Sequence, residues 1–254
     1  MRITYKAFTK IMTVNDDDLN GILLINKPKG LTSHDVIDLI RKKFRIKKVG
    51  HAGTLDPMAT GLLIVLIGKA TKISQYMIER SKTYEGTMRL GEITDSHDAE
   101  GTVIERRPVN DINPDLVTEL AKKFLGDQYQ IPPMFSAKKV NGQKLYKLAR
   151  KGQVVDRKPQ TIHIFNFDII DIRSAEIDFS VTCSKGTYVR TLANDFGEKL
   201  ECGAHLIRLC RTKIGDLSVE NSLTMDEILN IRAEDLKRYI LRPEEILFQT
   251  IHLV

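Results

Sequence analysis

The chain has 254 residues, of which 42% are hydrophobic and 28% charged, a composition that excludes a disordered or low-complexity protein. Its longest uninterrupted apolar run, residues 62–67, is far shorter than the roughly 20 residues that cross a bilayer, and its charged N-terminus lacks the apolar segment of a secretory signal. The three cysteines fit neither a disulfide framework nor a paired metal motif, so we expect a cytoplasmic protein without membrane attachment.

Positive charge is unevenly distributed along the chain. Lys and Arg total 39 against 33 Asp and Glu, which gives a formal net charge of +6. Residues 41–48 (RKKFRIKK) are almost entirely basic, and residues 138–158 carry many cations against the single acid Asp156. Such stretches are typical of surfaces that meet a polyanion, although a solvated helix face has the same pattern.

Hydrophobic periodicity predicts the elements of the first third of the chain. In chain order these are a strand at residues 21–25, an amphipathic helix from Ser33 to about Arg45, an irregular loop at residues 50–57, a buried strand at residues 61–68, and a strand bearing Tyr84 near its start. Thr32 and Asp35 have the spacing of a capping box for the helix.

The remainder of the chain continues to mix strands with helices, which predicts an α+β fold. We expect a helix capped by Asn113 and closed by Gly126, a basic excursion over residues 130–159, strands at residues 161–172 and 177–183, a turn at residues 184–186, a helix through residues 189–200, and short helices near residues 225–231, 233–240 and 243–247.

Two residues combine charge with an unusual setting. Asp56 precedes Pro57, which by itself is ordinary helix-start chemistry, but it lies in a glycine-rich loop five residues after His51. If Thr187 caps the following helix, Arg190 falls in the first turn, where the helix dipole disfavours a cation unless an anion is near. Pairing with Arg190 would keep Asp56 ionised by lowering its pKa.

An acidic segment offers a different chemistry. Asp95, His97 and Asp98 lie within four residues and could serve a metal-dependent phosphoesterase, although their spacing matches no zinc pair or calcium loop. Acids beside Gly101 equally suit a turn in which side chains bind backbone amides. No phosphate-binding loop, dinucleotide fingerprint or nucleophile elbow occurs in the sequence.

Residues 50–61 (GHAGTLDPMATG) strongly resemble the catalytic motif of the TruB family of tRNA pseudouridine synthases. The resemblance spans about residues 20 to 215 and includes further motifs in the family's order. These are Asn26–Lys27–Pro28 with Gly30, Lys82–Thr83–Tyr84, Asp98 with Gly101, residues 130–133 (QIPP), Ser136–Ala137 with Lys139, and residues 186–190 (GTYVR).

The resemblance implies a pseudouridine synthase fold with a mixed, mainly antiparallel central sheet and flanking helices. It also implies the isomerisation of uridine 55 in the tRNA T-loop to pseudouridine, with no cofactor and no metal. Asp56 would be the nucleophile, Tyr84 would stack on the flipped uracil, and Arg190 would hold Asp56 charged. His51 would fill the space that the extruded nucleotide leaves in the RNA.

Further contacts with substrate or RNA are implied for Lys27, Tyr188, Leu209 and Lys139, although core packing is an alternative for Leu209. We divide the chain into an N-terminal extension (residues 1–20), a catalytic domain (residues 21–222) with an RNA-facing insertion at about residues 127–160, and a short helical C-terminal tail (residues 223–254). That tail is too short for the full RNA-binding PUA domain of longer bacterial members, and we expect a monomer without an obligatory protein partner.

Three rival functions stay open at this point. A basic protein could fold the tRNA T-arm without any chemistry, a synthase could depend on a guide RNA and protein partners as the related eukaryotic and archaeal enzymes do, or the acidic segment could form a phosphoesterase.

Overall fold

The computed structural model describes residues 19–136, 138–140, 142–149 and 151–247. The predicted N-terminal extension, apart from Leu19 and Asn20, and the end of the predicted C-terminal tail lie outside the described residues. Strands are β1 (Gly21–Lys27), β2 (Val49–Ala52), β3 (Thr60–Ile67), β4 (Lys82–Leu90), β5 (Glu92–Thr94), β6 (Val103–Arg106), β7 (Gly126–Gln130), β8 (Lys139–Val140), β9 (Gln143–Lys144), β10 (Gln160–Arg173), β11 (Glu176–Cys183), β12 (Ala204–Ile214), β13 (Leu217–Ser218) and β14 (Leu223–Thr224).

The α-helices are α1 (Ser33–Phe44), α2 (Ser74–Glu79), α3 (Pro114–Lys122), α4 (Leu145–Ala149), α5 (Val189–Lys199), α6 (Met225–Asn230) and α7 (Pro243–Leu247). Short 3₁₀ segments occupy Gly68–Ile73, Val219–Asn221 and Ala233–Tyr239. Among the described residues, no helix has the length and apolar character required to span a membrane.

One large sheet organises these elements, in the order β14-β1-β3-β12-β4-β11-β10-β7, with β2 beside β3 and β13 beside β12. The pairs β1–β14 and β3–β12 are parallel and the other pairs in this sheet are antiparallel. The predicted α+β class with a mixed, mainly antiparallel sheet is therefore confirmed.

Core residues cover both faces of the half of the sheet that contains β1 and β3, and the inner face of the other half. Strands β1 and β3 are apolar at almost every position because α1 and α6 cover one face, while Met77, Ile214 and Ile246 cover the other. In the other half, α3 and α5 pack on the inner face of β4, β10, β11 and β12. The boundary between the two halves is the short parallel contact of β3 with β12.

Most predicted helix starts are confirmed by their caps. Thr32 and Asp35 form a reciprocal capping box, Asn113 accepts the backbone N–H of Asp115, and Thr224 forms a second capping box with Glu227. These side chains satisfy backbone N–H groups that have no partner inside their helices.

Three local predictions were wrong. The loop expected at residues 50–57 begins instead as strand β2, because Val49–Ala52 pair with Ile64–Ile67 of β3. Helix α3 ends at Lys122, so Gly126 does not close it but starts β7. Thr187 does not cap α5, because its hydroxyl donates to the carbonyl of Ser184 and Tyr188 is the N-cap residue.

The described part of the predicted C-terminal tail packs onto the edge of the sheet. Strand β14 pairs with β1, and Met225, Ile228 and Leu236 join the core cluster of α1. Leu241 also exchanges two backbone hydrogen bonds of 2.9 Å with Ile22. The division of the chain at residue 222 and the limits of the insertion stay predictions.

Gly61 allows β3 to approach β12. Its φ is +100°, and a Cβ there would lie 2.3 Å from the Arg211 carbonyl oxygen. We predict that Gly61→Ala lowers the free energy of unfolding by about 2–4 kcal/mol, because strain and overlap with backbone add together. Urea denaturation tests this against Gly126→Ala, a glycine with φ +83° and open space around it. Equal losses in the two variants would contradict the close approach.

Candidate active site

Asp56 lies in the loop between β2 and β3, which is fixed at both ends by buried groups. The Ser33 hydroxyl, at the start of α1, accepts the Leu55 N–H at 2.9 Å and is 3.3 Å from the Leu55 carbonyl. On the other side of Asp56, the Pro57 carbonyl accepts the backbone N–H of Gly30 at 2.8 Å. The carboxylate is thus held by neighbours on both sides rather than by a flexible loop.

Lys27 is fully buried beneath this loop. Its ammonium donates to the carbonyl oxygens of Pro28 at 2.9 Å, Leu31 at 2.7 Å and Pro57 at 3.4 Å. Burial lowers the pKa of Lys27 to about 8, against the attraction of Asp56, which raises it. A side chain that is 0% exposed has no surface to offer to RNA, so the predicted RNA contact of Lys27 does not fit its position.

Arg211 is a second buried cation that holds the same loop. Its guanidinium donates to the carbonyl oxygens of Leu62 at 2.8 Å, Thr54 at 3.4 Å and Gly53 at 3.0 Å. The side chain enters from β12, so it ties the segment before Asp56 to the centre of the sheet. Arg211 is not among the site residues predicted from the sequence, so this role was missed.

Arg190 brings two carboxylates together. Its Nε lies 3.3 Å from an Asp56 carboxylate oxygen, and its Nη1 lies 3.4 Å from the Asp98 carboxylate. Its Nη2 donates to the Phe135 carbonyl at 2.6 Å. The anion that a cation in the first turn of α5 requires is therefore present twice, and the predicted contact between Arg190 and Asp56 is confirmed.

Asp98 belongs to one of the family motifs but is not among the site residues predicted from that resemblance. It is held in a tight turn, where its carboxylate accepts the Ser96 hydroxyl at 2.6 Å and the Glu100 N–H at 3.1 Å. Gly101 closes the turn, since a Cβ there would lie 2.2 Å from the Ser96 hydroxyl oxygen. Within the described residues, no group of three His, Cys, Asp or Glu side chains could hold a metal ion.

Enclosure dominates the electrostatics of Asp56. Burial raises the pKa of its carboxyl above the usual range, Arg190 lowers it, and the nearby Asp98 raises it again. The sequence-based expectation of a lowered pKa was therefore wrong in net direction, because it counted the arginine but not the loss of water. Nevertheless 38% of the Asp56 side chain is exposed, which leaves it reachable from outside.

Asp56 faces a cleft of about 250 Å³. Tyr84 and Leu209 form its apolar wall and are only 8% and 7% exposed, respectively. Burial raises the pKa of the Tyr84 hydroxyl, and Arg211 lowers it. The cleft is also lined by Gly53, Thr54, Leu55, Ile78, Lys82, Ser136, Ser184, Lys185, Gly186, Thr187, Tyr188, Val189, Arg190 and Arg211.

The structure brings five of the eight predicted site residues to this cleft: Asp56, Tyr84, Arg190, Tyr188 and Leu209. His51 lies on β2 outside the cleft lining, and burial lowers the pKa of its imidazole. Lys139 lies on β8 within the insertion. Lys27, as described, lies under the loop.

Comparison with known families identifies the family of this chain. The family model for the N-terminal domain of TruB pseudouridylate synthases matches residues 41–189, and the model for the C-terminal domain of tRNA pseudouridylate synthase B matches residues 190–249. The chain therefore belongs to the TruB family, whose members isomerise uridine to pseudouridine.

Individual relatives agree with this assignment. The tRNA pseudouridine synthase B of Opitutus terrae is 47% identical over 224 residues, covering 88% of this chain and 93% of that protein. The enzyme of the same name from Burkholderia pseudomallei is 45% identical over 236 residues, covering 93% of this chain and 78% of that protein.

Solved structures show the same fold. A Cbf5–Nop10–Gar1 complex contains a chain with a TM-score of 0.66 and 28% identity, matched over 83% of this chain and 54% of that one. An H/ACA RNP bound to a substrate RNA containing 2′-deoxyuridine gives a TM-score of 0.66 and 25% identity over 89% of this chain and 59% of that one. This chain thus spans little more than half the length of these structural relatives.

The charges around Asp56 predict how its titration responds to mutation. Arg190→Gln should raise the pKa of Asp56 further, and Asp98→Asn should lower it, because the first change removes an attraction and the second a repulsion. NMR titration of the Asp56 side-chain carboxyl carbon measures both shifts. Shifts of the same sign in the two variants would contradict the arrangement of charges.

Proposed function

We propose that this protein converts uridine 55 in the T-loop of tRNA to pseudouridine, with Asp56 as nucleophile and without a cofactor. The observation that carries the proposal is the ion pair between Asp56 and Arg190 in a cleft walled by Tyr84. A carboxylate kept reachable yet partly desolvated suits nucleophilic catalysis, since fewer water molecules solvate its charge.

The reaction breaks the bond between C1′ and N1, turns the uracil, and joins C1′ to C5, from which a proton leaves. Asp56 would attack either C1′ of the ribose or C6 of the ring, and both attacks require the ionised carboxylate. Arg190 supplies that condition by opposing the burial that raises the pKa of Asp56. The base must first leave the RNA stack to reach the cleft.

The remaining cleft residues suit the handling of a flipped base. Tyr84 and Leu209 offer an apolar surface against which uracil can stack, and Tyr84 is a candidate acceptor of the C5 proton. The ring of Tyr188 lies 5.9 Å from the Arg190 guanidinium, so it packs against the group that holds Asp56. Its proposed contact is with the substrate nucleotide.

RNA would bind over the surface around the cleft. His51 and Lys139 are proposed to contact the T-arm. Exposed cations in the last turn of α1 and directly after it are proposed to contact phosphates: Lys42, Arg45, Lys47 and Lys48. These residues continue directly into β2 and the Asp56 loop. We further propose that the protein acts as a monomer in the cytoplasm, without guide RNA or partner protein.

Loss of the C5 hydrogen measures the reaction directly. With a T-arm hairpin tritiated at C5 of uridine, the purified wild-type protein should release tritium with no other component added. Asp56→Asn should bind the hairpin equally well but release tritium at least about a thousandfold more slowly. Such a loss is the scale expected when a nucleophile is removed. Asn has nearly the same size and shape as Asp, so a loss of tritium release in this variant is not caused by a change in packing.

The outcomes separate the rival functions. Tight binding without release by the wild type would favour a binding protein or a synthase that needs a partner, and release at equal rates by both proteins would overturn the role of Asp56. Full tritium release in excess EDTA would remove the metal-dependent phosphoesterase, whose chemistry also leaves the C5 hydrogen in place.

Lys27 provides a test of positioning against RNA binding. Lys27→Met should lower kcat about tenfold or more and leave the Kd for the hairpin unchanged, because the ammonium holds the carbonyl next to Asp56 and is not exposed. Lys29→Met, a change at an exposed neighbour, is the matched control. A weakened Kd with unchanged kcat would restore the original assignment of Lys27 to RNA binding.

A further inference from the structure

Ser136 is a buried residue that lines the candidate active-site cleft. The residue is 4% exposed, and within the described part of the chain its Oγ makes no hydrogen bond. A buried polar group without a partner is costly, and such groups are rare in folded proteins. The Tyr188 side chain interacts with Ser136 without forming a hydrogen bond of normal geometry. Because Ser136 lines the same cleft as Asp56, a molecule that enters the cleft can accept the hydrogen bond that the serine hydroxyl has to give.

The position of Ser136 is fixed by its neighbours on the chain. The carbonyl of Phe135 accepts a hydrogen bond of 2.6 Å from Arg190, and the carbonyl of Ser136 accepts the N–H of Tyr146 at 3.0 Å. The insertion thus delivers this hydroxyl to the side of the cleft where Arg190 holds Asp56. Side-chain rotation is the principal freedom that remains to it.

The neighbouring Tyr188 adds a second hydroxyl to this wall. Ser136 and Tyr188 both line the cleft. Burial raises the pKa of Tyr188, and interaction with the Ser136 side chain lowers it. The backbone of Tyr188 is itself locked, because its N–H donates to the Gln130 side-chain oxygen at 2.8 Å and its carbonyl accepts the Gln130 amide at 3.0 Å. Both hydroxyls therefore belong to a rigid part of the cleft.

We propose that Ser136 donates a hydrogen bond to the flipped uridine, at an acceptor that flanks the bond between C1′ and N1. Two oxygens meet this description: the 2′-hydroxyl of the ribose and O2 of the uracil. Either lies close to the atoms that Asp56 attacks, and Ser136 is held on the Asp56 side of the cleft. This inference rests on the proposed function and names a substrate contact within it.

The contact predicts a specific loss in catalysis. Ser136→Ala should lower kcat/KM on the uridine hairpin about three- to tenfold, the worth of one hydrogen bond, and leave the Kd of the whole hairpin nearly unchanged. Alanine keeps the backbone contact with Tyr146, and Ser136→Cys provides a second variant of similar size with a weaker donor. Ser180→Ala, on β11 outside the cleft lining, is the matched control.

Substrate analogues identify the acceptor. Single-turnover rates are measured for wild type and Ser136→Ala on hairpins with uridine, 2′-deoxyuridine or 2-thiouridine at the target position. The quantity compared is the ratio of the wild-type rate to the Ser136→Ala rate, called the serine effect. If the serine effect disappears with 2′-deoxyuridine, the hydrogen bond goes to the ribose 2′-hydroxyl, and if it disappears with 2-thiouridine, the bond goes to O2. Each result supports the inference.

Two results overturn the proposed contact while leaving the proposed function intact. One is an active wild type that Ser136→Ala equals on uridine, and the other is a serine effect of the same size on all three substrates, which would indicate a structural role. A wild type that converts no uridine would overturn the proposed function and this inference together.

Discussion

The site depends on one guanidinium shared by four segments of the chain. Arg190 extends from the first turn of α5 and meets the Asp56 loop, the turn around Asp98 and the Phe135 carbonyl of the insertion. These segments are far apart in sequence, and the guanidinium joins them directly to one another. A planar group with five N–H donors can satisfy several acceptors in fixed directions, which a lysine ammonium cannot do as well. Removal of this cation would leave two enclosed carboxylates facing each other.

The other cations of the site work in a different way, because their partners are carbonyl oxygens and not carboxylates. Lys27 and Arg211 each donate to three backbone carbonyls, and Lys82, on the wall of the cleft, donates to those of Ile78 and Arg80. Burial lowers the pKa of both lysines to about 8. The hydrogen bonds from each ammonium to backbone carbonyl oxygens offset part of the loss of water that burial causes.

Local signals carried much of the fold and part of the site. Capping residues such as Thr32 and Asn113 mark helix starts because they bond to residues only two or three positions away in the sequence. The motif around Asp56 resembles a known family over twelve residues. The direction of a side chain is a different matter, since it depends on packing. Lys27 in a family motif was expected to meet RNA but is turned inward, and the raised pKa of Asp56 follows from an enclosure that no spacing reveals. The role of Arg211 depends on the parallel contact of β12 with β3, which joins residues about 150 positions apart.

The C-terminal segment that begins with β14 covers the edge of the large sheet at β1. Strand β1 is buried on both faces and would end the sheet with unpaired backbone groups if β14 and Leu241 did not lie along it. Gly21 seats this cover closely, since a Cβ there would lie 2.4 Å from the Leu241 carbonyl oxygen. An open edge on so apolar a strand is a template for pairing between molecules. The residues that appear from sequence to be a simple tail therefore cover an edge of the sheet, and shortening the chain before Leu223 would expose the backbone groups of β1 to pairing between molecules.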